Sequence, residues 1–164
     1  MGQRRVHHQE LARGKDWLIA YYPRVQCAYF GPEVDDASFE DYAQRLEQDI
    51  DARADHQRFG ILYYVPDTTA MDSPRRRRIA KILAARKEKL SQTTAAFVVV
   101  TQSPFIRGVL STMFWMAPPG YPNKAVATTG QGFAFLAQHL SHIDAAATNE
   151  AFEALLTTGQ RRAS

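Results

Sequence analysis

One cysteine, Cys27, stands in 164 residues, which excludes an intramolecular disulfide framework and a zinc site built from thiolates. No run approaches the roughly 20 consecutive apolar residues that a membrane-spanning helix needs. The basic pair Arg4-Arg5 is followed by His7-His8-Gln9-Glu10 rather than an apolar stretch, so the reading is a chain without a signal peptide that stays in the cytoplasm. Glycine-rich phosphate loops, a Gly-x-Ser-x-Gly elbow and a His-Glu-x-x-His pair are all missing, and with them the common signatures of nucleotide, serine-hydrolase and zinc-protease chemistry. Internal repeats and low-complexity tracts are missing too. His139 and His142 are three apart on one helix, but no third ligand is spaced to join them, so a solvated face is expected and no metal. These absences together point away from an enzyme and call for no cofactor.

What is present suits one ordinary globular domain, with 45% hydrophobic and 23% charged residues. At this length about two-thirds of the unfolded surface can be buried, enough for a core without staples. The charge is segregated. Residues 75–89 hold Arg75 to Arg78, Lys81, Arg86, Lys87 and Lys89 against Glu88, a net +7 within a chain of +3, so the remainder is −4. With no aromatic interleaved among those cations and an acidic remainder, a nucleic-acid partner is not expected.

Two strand-forming runs, Trp17 to Tyr21 and Val25 to Phe30, flank the turn Pro23-Arg24 and predict a hairpin. Phe39, Tyr42, Ala43, Leu46 and Ile50 recur at helical spacing behind Ser38, which reads as an N-cap of a helix ending near Arg53. Phe59 to Val65 and Ala95 to Thr101 are short apolar runs that predict buried strands. Each leads to a Ser-Pro pair, Ser73-Pro74 and Ser103-Pro104, where Ser suits the N-cap and Pro the first helical position.

The helix after Ser73 places Ile79, Ile82, Leu83 and Leu90 on one face; the helix after Ser103 places Ile106, Val109, Leu110 and Met113 inward, with Trp115 or Met116 left for a partner. A short strand from Ala125 to Thr128 and a helix through Phe133, Leu136, Leu140 and Ile143 follow. The result is an α/β layer fold: a mixed sheet with an N-terminal hairpin, then alternating helix and strand units packed on it. Its limits are read as a flexible extension over 1–15, one domain over 16–147, and a short helix with a disordered tail over 148–164.

With that element order, the stretch Asp67-x-x-x-Met71-Asp72-Ser73 resembles the switch loop of the STAS domain of bacterial anti-sigma-factor antagonists. The segment from Phe97 through Ser103-Pro104 and Arg107 to Leu110 resembles the strand and following helix start of the same family. The resemblance spans roughly Trp17 to His142, and the second Ser and the Gly of the family motif are Pro74 and Arg75 here. It implies a non-enzymatic domain whose partner is an anti-sigma factor that is also a kinase, with Ser73 as the phosphorylated serine. Asp67, Thr68, Thr69, Met71, Asp72, Arg75, Arg76, Ser103 and Arg107 would then form the partner surface.

Independently of any family, four arginines in the first turns of a helix are unfavourable, because unpaired amides already make that end positive. An anion offsets this, and several sources fit: a phosphoryl group on Ser73, a partner's carboxylate, or a small ligand such as a nucleotide, phosphate or lipid headgroup held with the Thr101-Gln102-Ser103 loop. The plain alternatives are that the arginines extend into solvent and that Ser73 is only a cap. A third possibility is a scaffold that forms a homodimer through Trp115 and Met116.

Overall fold

A computed structural model describes residues 6–163, without the side chains of residues 10 and 160–163. Six strands form one sheet in sequence order, β1 (Glu10–Gly14), β2 (Trp17–Tyr22), β3 (Val25–Phe30), β4 (Phe59–Tyr64), β5 (Thr94–Val100) and β6 (Asn123–Val126). The first three are antiparallel and β3 to β6 are parallel. The expected hairpin is β2–β3, running from Trp17 opposite Phe30 to Tyr22 opposite Val25. Pro23 and Arg24 make its corner, and Arg24 takes the left-handed conformation (φ 63°) that so short a reversal requires.

The side chains of the sheet alternate between two cores, as the period of a strand dictates. On one face Trp17, Ile19, Ala28 and Phe30 pack with Phe39, Tyr42 and Ile50 of α1 (Asp36–Asp51), Ile82 of α2 (Ser73–Ala85) and Leu90 of α3 (Lys87–Thr93). On the other, Leu18, Tyr22, Cys27, Leu62 and Val98 pack with Phe133 and Leu136 of α5 (Thr129–Ala137), Leu140, and Phe152 of α6 (Ala145–Ala163). Glycine at 132 lets α5 lie close on the sheet: a Cβ there would stand 2.8 Å from Leu62 Cδ1. Cys27 is fully buried, and desolvation pushes its thiol well above the ordinary range, so it is a packing residue rather than a nucleophile.

Several boundaries differ from the sequence expectation. Residues 10–14, read as part of a flexible extension, are strand β1 against β2; residues 1–5 lie outside the described residues. The C-terminal helix, expected to be short with a disordered tail, is α6 and continues through Ala163. Asp35, not Ser38, caps α1, its carboxylate accepting from the Ser38 amide at 2.8 Å. The single helix expected after Ser73 is broken at Arg86 into α2 and α3. Among the described residues no helix is long and apolar enough to cross a membrane.

The largest difference concerns α4 (Pro104–Met116), the helix expected to point Ile106, Val109, Leu110 and Met113 into the core. It has no buried residue. Ile106, Leu110 and Phe114 are half-buried, while Val109 and Met113 face solvent together with Phe105, Trp115 and Met116. The reason lies in what α4 covers. It sits against β6, four residues at the sheet margin, and its aromatic contact with the sheet is Phe114 on Phe97 (centroids 6.2 Å apart). So narrow a platform hides one side of a helix and leaves the rest wet.

Candidate functional site

Ligand and partner sites in parallel sheets gather where strands end. The loops after β3, β4 and β5 lie at that end of this sheet, and the expected switch loop is the one after β4. Asp67 opens it by accepting from the amide (2.9 Å) and hydroxyl (2.6 Å) of Thr69, which closes a 3₁₀ turn over Thr68–Ala70. The same two hydrogen bonds hold the Asp67 carboxyl below the usual carboxylate range.

Asp72 then caps α2, accepting from the Arg75 amide at 3.1 Å. Ser73, expected as that cap, is instead the first residue of the helix. Adjacent Asp and Ser are both strong caps, and the carboxylate, charged and opposite in sign to the helix end, takes the position. The Ser73 hydroxyl is thereby free of a capping role. It is exposed and accepts from the Arg76 guanidinium at 2.8 Å, while Arg76 also donates to Met71 O at 2.9 Å.

The arginine run divides by direction. Arg75 turns inward, donating to Ala70 O (2.8 Å), Val34 O (2.9 Å) and Asp36 (3.0 Å), with its guanidinium 5.3 Å from the Phe39 ring and 5.9 Å from that of Phe30. It ties the switch loop to the loop after β3 and so fixes the platform on which Ser73 stands. Arg78 pairs with Glu40 (3.0 Å) and Glu47 (3.3 Å), and Arg86 with Asp51 (2.8 Å) and Glu47 (3.5 Å). The guanidiniums hold Glu40 and Asp51 below their ordinary range. Arg76, Arg77 and Lys81 have no carboxylate partner among the described residues. The acidic face of α1 thus offsets Arg75 and Arg78 at the crowded helix start and Arg86 at the other end, whereas Arg76 and Arg77 keep an outward positive field beside Ser73.

Asp36, Glu40, Glu47 and Asp51 are the site residues that sequence reasoning missed. Their signal was present: at spacings of four, seven and four they form one stripe along α1, facing the stripe of Arg75, Arg78 and Arg86. In the second expected segment the helix start at Ser103 is where it was read. Ser103 caps α4, accepting from the Ile106 amide at 3.3 Å, and Arg107 folds back to donate to Thr101 O and Gln102 O at 2.9 Å each. Both are engaged locally, and among the described residues no hydrogen bond or ion pair joins them to Ser73 or Arg76. Trp115 and Met116 stand 83% and 73% exposed at the far end of α4.

A cleft of about 340 Å³ lies near the strand ends, lined by Tyr64, Gln102, Thr128, Thr129, Glu153 and Thr157. None of the residues 67–76 lines it, so the helix start and the Gln102 loop do not combine into one cradle. Glu153, which accepts from Thr129 at 2.8 Å, makes the cleft unfavourable for an anion. No cluster of three metal-ligating side chains occurs among the described residues. A scan against family models and searches of curated proteins and of solved structures find no match to this chain.

Proposed function

We propose that this domain is a non-enzymatic regulatory module of the kind its switch loop resembles, an anti-sigma-factor antagonist. It binds a protein partner through loop 67–72 and the start of α2, and phosphorylation of Ser73 controls the contact. The observation that carries this reading is the Ser73 hydroxyl. It is exposed, released from capping by Asp72, and hydrogen-bonded to Arg76 on a platform that Arg75 anchors from beneath.

Chemically, the hydroxyl oxygen attacks the γ-phosphorus of the partner kinase's nucleoside triphosphate, the bond to the bridging oxygen breaks to release nucleoside diphosphate, and the hydroxyl proton passes to a base of the kinase. The product adds about −1.5 to −2 charges at the first turn of a helix, a position that favours anions. Arg76 already points there and Arg77 adds field, so the modified loop stays folded. The partner surface, in contrast, changes from basic to acidic and gains bulk. The switch is therefore electrostatic and steric, without a change of fold. The small-anion alternative has less support, because Arg75 is committed to the protein's own carbonyls and the neighbouring cleft contains Glu153.

The test is made on protein isolated from its own host. The expected result is one phosphoryl mass on the peptide that carries Ser73. A partner retained by wild type and by Ser73→Ala should be released at least about tenfold faster from Ser73→Asp. Equal binding by wild type, Ser73→Ala and Ser73→Asp overturns the switch.

A further inference from the structure

The apolar face of α4 follows a definite pattern. Its outermost line is Phe105, Gly108, Thr112 and Trp115, spaced three, four and three residues apart, with Val109 and Met116 beside it. That spacing is the seam along which helices pair. The two ends are large and the centre is small. Gly108 is not required by the chain's own packing, since a Cβ there would meet nothing within 4 Å, and a mid-helix glycine otherwise only weakens the helix. Thr112 spends its hydroxyl on Gly108 O at 3.0 Å, so it needs no polar partner across such a seam.

We propose that α4 pairs with α4 of a second copy of this chain, the helices crossing at Gly108 and Thr112 about a two-fold axis. Such an axis through the middle of α4 lets two small centres approach and sets Phe105 of each copy beside Trp115 and Met116 of the other. The face is self-complementary in size, as an isologous contact demands. It is also self-complementary in charge. The one ionised side chain of α4, Arg107, spends its guanidinium on Thr101 O and Gln102 O, so the face is neutral and offers nothing to a charged partner or an anionic membrane. Phe105, Val109, Trp115 and Met116, 41–83% exposed, are the large side chains this face would bury, less area than the ~800 Å² a standard interface takes from each side. That area fits a dimer of micromolar rather than nanomolar strength. The contact is separate from the Ser73 surface, so either reading stands without the other.

The test is sedimentation equilibrium on the full chain from about 1 to 200 μM, a range that brackets micromolar association. A monomer–dimer equilibrium is expected. Gly108→Leu, whose Cβ meets nothing within 4 Å in the single chain, should weaken it at least about tenfold with unchanged circular dichroism, as should Trp115→Glu. Thr112→Cys should form a disulfide-linked dimer under mild oxidant, while Glu88→Cys on α3 should not. A wild type that stays monomeric throughout overturns the proposal, as does a Gly108→Leu dimer as strong as wild type. Co-sedimentation of the monomer with phosphatidylglycerol vesicles, abolished by Trp115→Glu, would overturn it in favour of a membrane surface.

Discussion

Helices α2 and α4 invite comparison, since each has 13 residues, each carries a proline in its first turn and each follows a parallel strand. Their compositions predict opposite fates from those observed. α2, with Arg75 to Arg78 in its first turns, reads as a solvated charged face. It is the one held in place, by Ile82 beneath and by ion pairs from Arg75 and Arg78 to α1, a clamp that Arg86 at its C-terminal cap extends. α4 has the higher apolar content and reads as core, yet it buries no residue. The lesson is that composition sets what a helix can bury or pair with, whereas its neighbours decide whether it does. α2 has a complementary helix beside it, and α4 has a four-residue strand.

The sharpest way to test that contrast is truncation on both helices, read by urea unfolding at concentrations where the chain is monomeric. Ile82→Ala removes the one fully buried side chain of α2, 1% exposed, and should cost about 2–5 kcal/mol. Phe105→Ala, at a residue 76% exposed, should stay within about 0.5 kcal/mol. A large loss at Phe105 would show that α4 is covered within the single chain.

Next in size, Arg75→Ala should lose about 2 kcal/mol, because Ala70 O and Val34 O lose their shared donor and the Phe30 and Phe39 rings their cation. Arg75→Lys should not restore it, since a point charge cannot serve three acceptors in one plane. Arg78→Ala should cost about 0.5–1 kcal/mol at low salt and less as salt rises, the pattern of a partly exposed pair.

The same clamp predicts a pH dependence. Hydrogen bonds from Arg78 and Arg86 hold Glu40 and Asp51 below their ordinary range in the folded chain. Their contribution is therefore present above the unfolded carboxylate range and lost as pH falls below about 4. The urea midpoint should drop in that window, and less steeply in Arg78→Ala. Opposite in sign, Gly108→Ala should raise monomer stability by up to about 1 kcal/mol through helix propensity alone. No gain there would mean that the open space around Gly108 is already filled.

Much of the fold was legible. The β2–β3 hairpin announced itself through two β-rich runs about Pro23-Arg24, and β4 and β5 through runs too short for helices and too apolar for loops. β1 was not legible, because Glu10 to Gly14 mixes charged and small residues as an edge strand does, and only pairing with β2 makes it a strand. The caps were misplaced for a local reason. Asp35 stands three residues before Ser38 and Asp72 directly before Ser73, so the acid takes the cap in both helices. At the candidate site the exposed loop was legible, but the inward turn of Arg75 was not. Its acceptors, Val34 O and Asp36, are about 40 residues away in sequence, the separation to Val34 being 41.

An α/β chain with an N-terminal hairpin, two alternating apolar faces and a serine at a helix start follows from the order of residues alone. Local propensity, strand period and capping chemistry are properties of neighbours along the chain, and they need no knowledge of the fold. Which arginines face the protein and which face Ser73, and that an apolar helix stays uncovered, were settled by packing in three dimensions. Those outcomes depend on what lies across a gap in space. An acidic stripe on α1 answered the cations of α2, whereas α4 meets β6 and Phe97 on one side only and its outer face is left uncovered among the described residues.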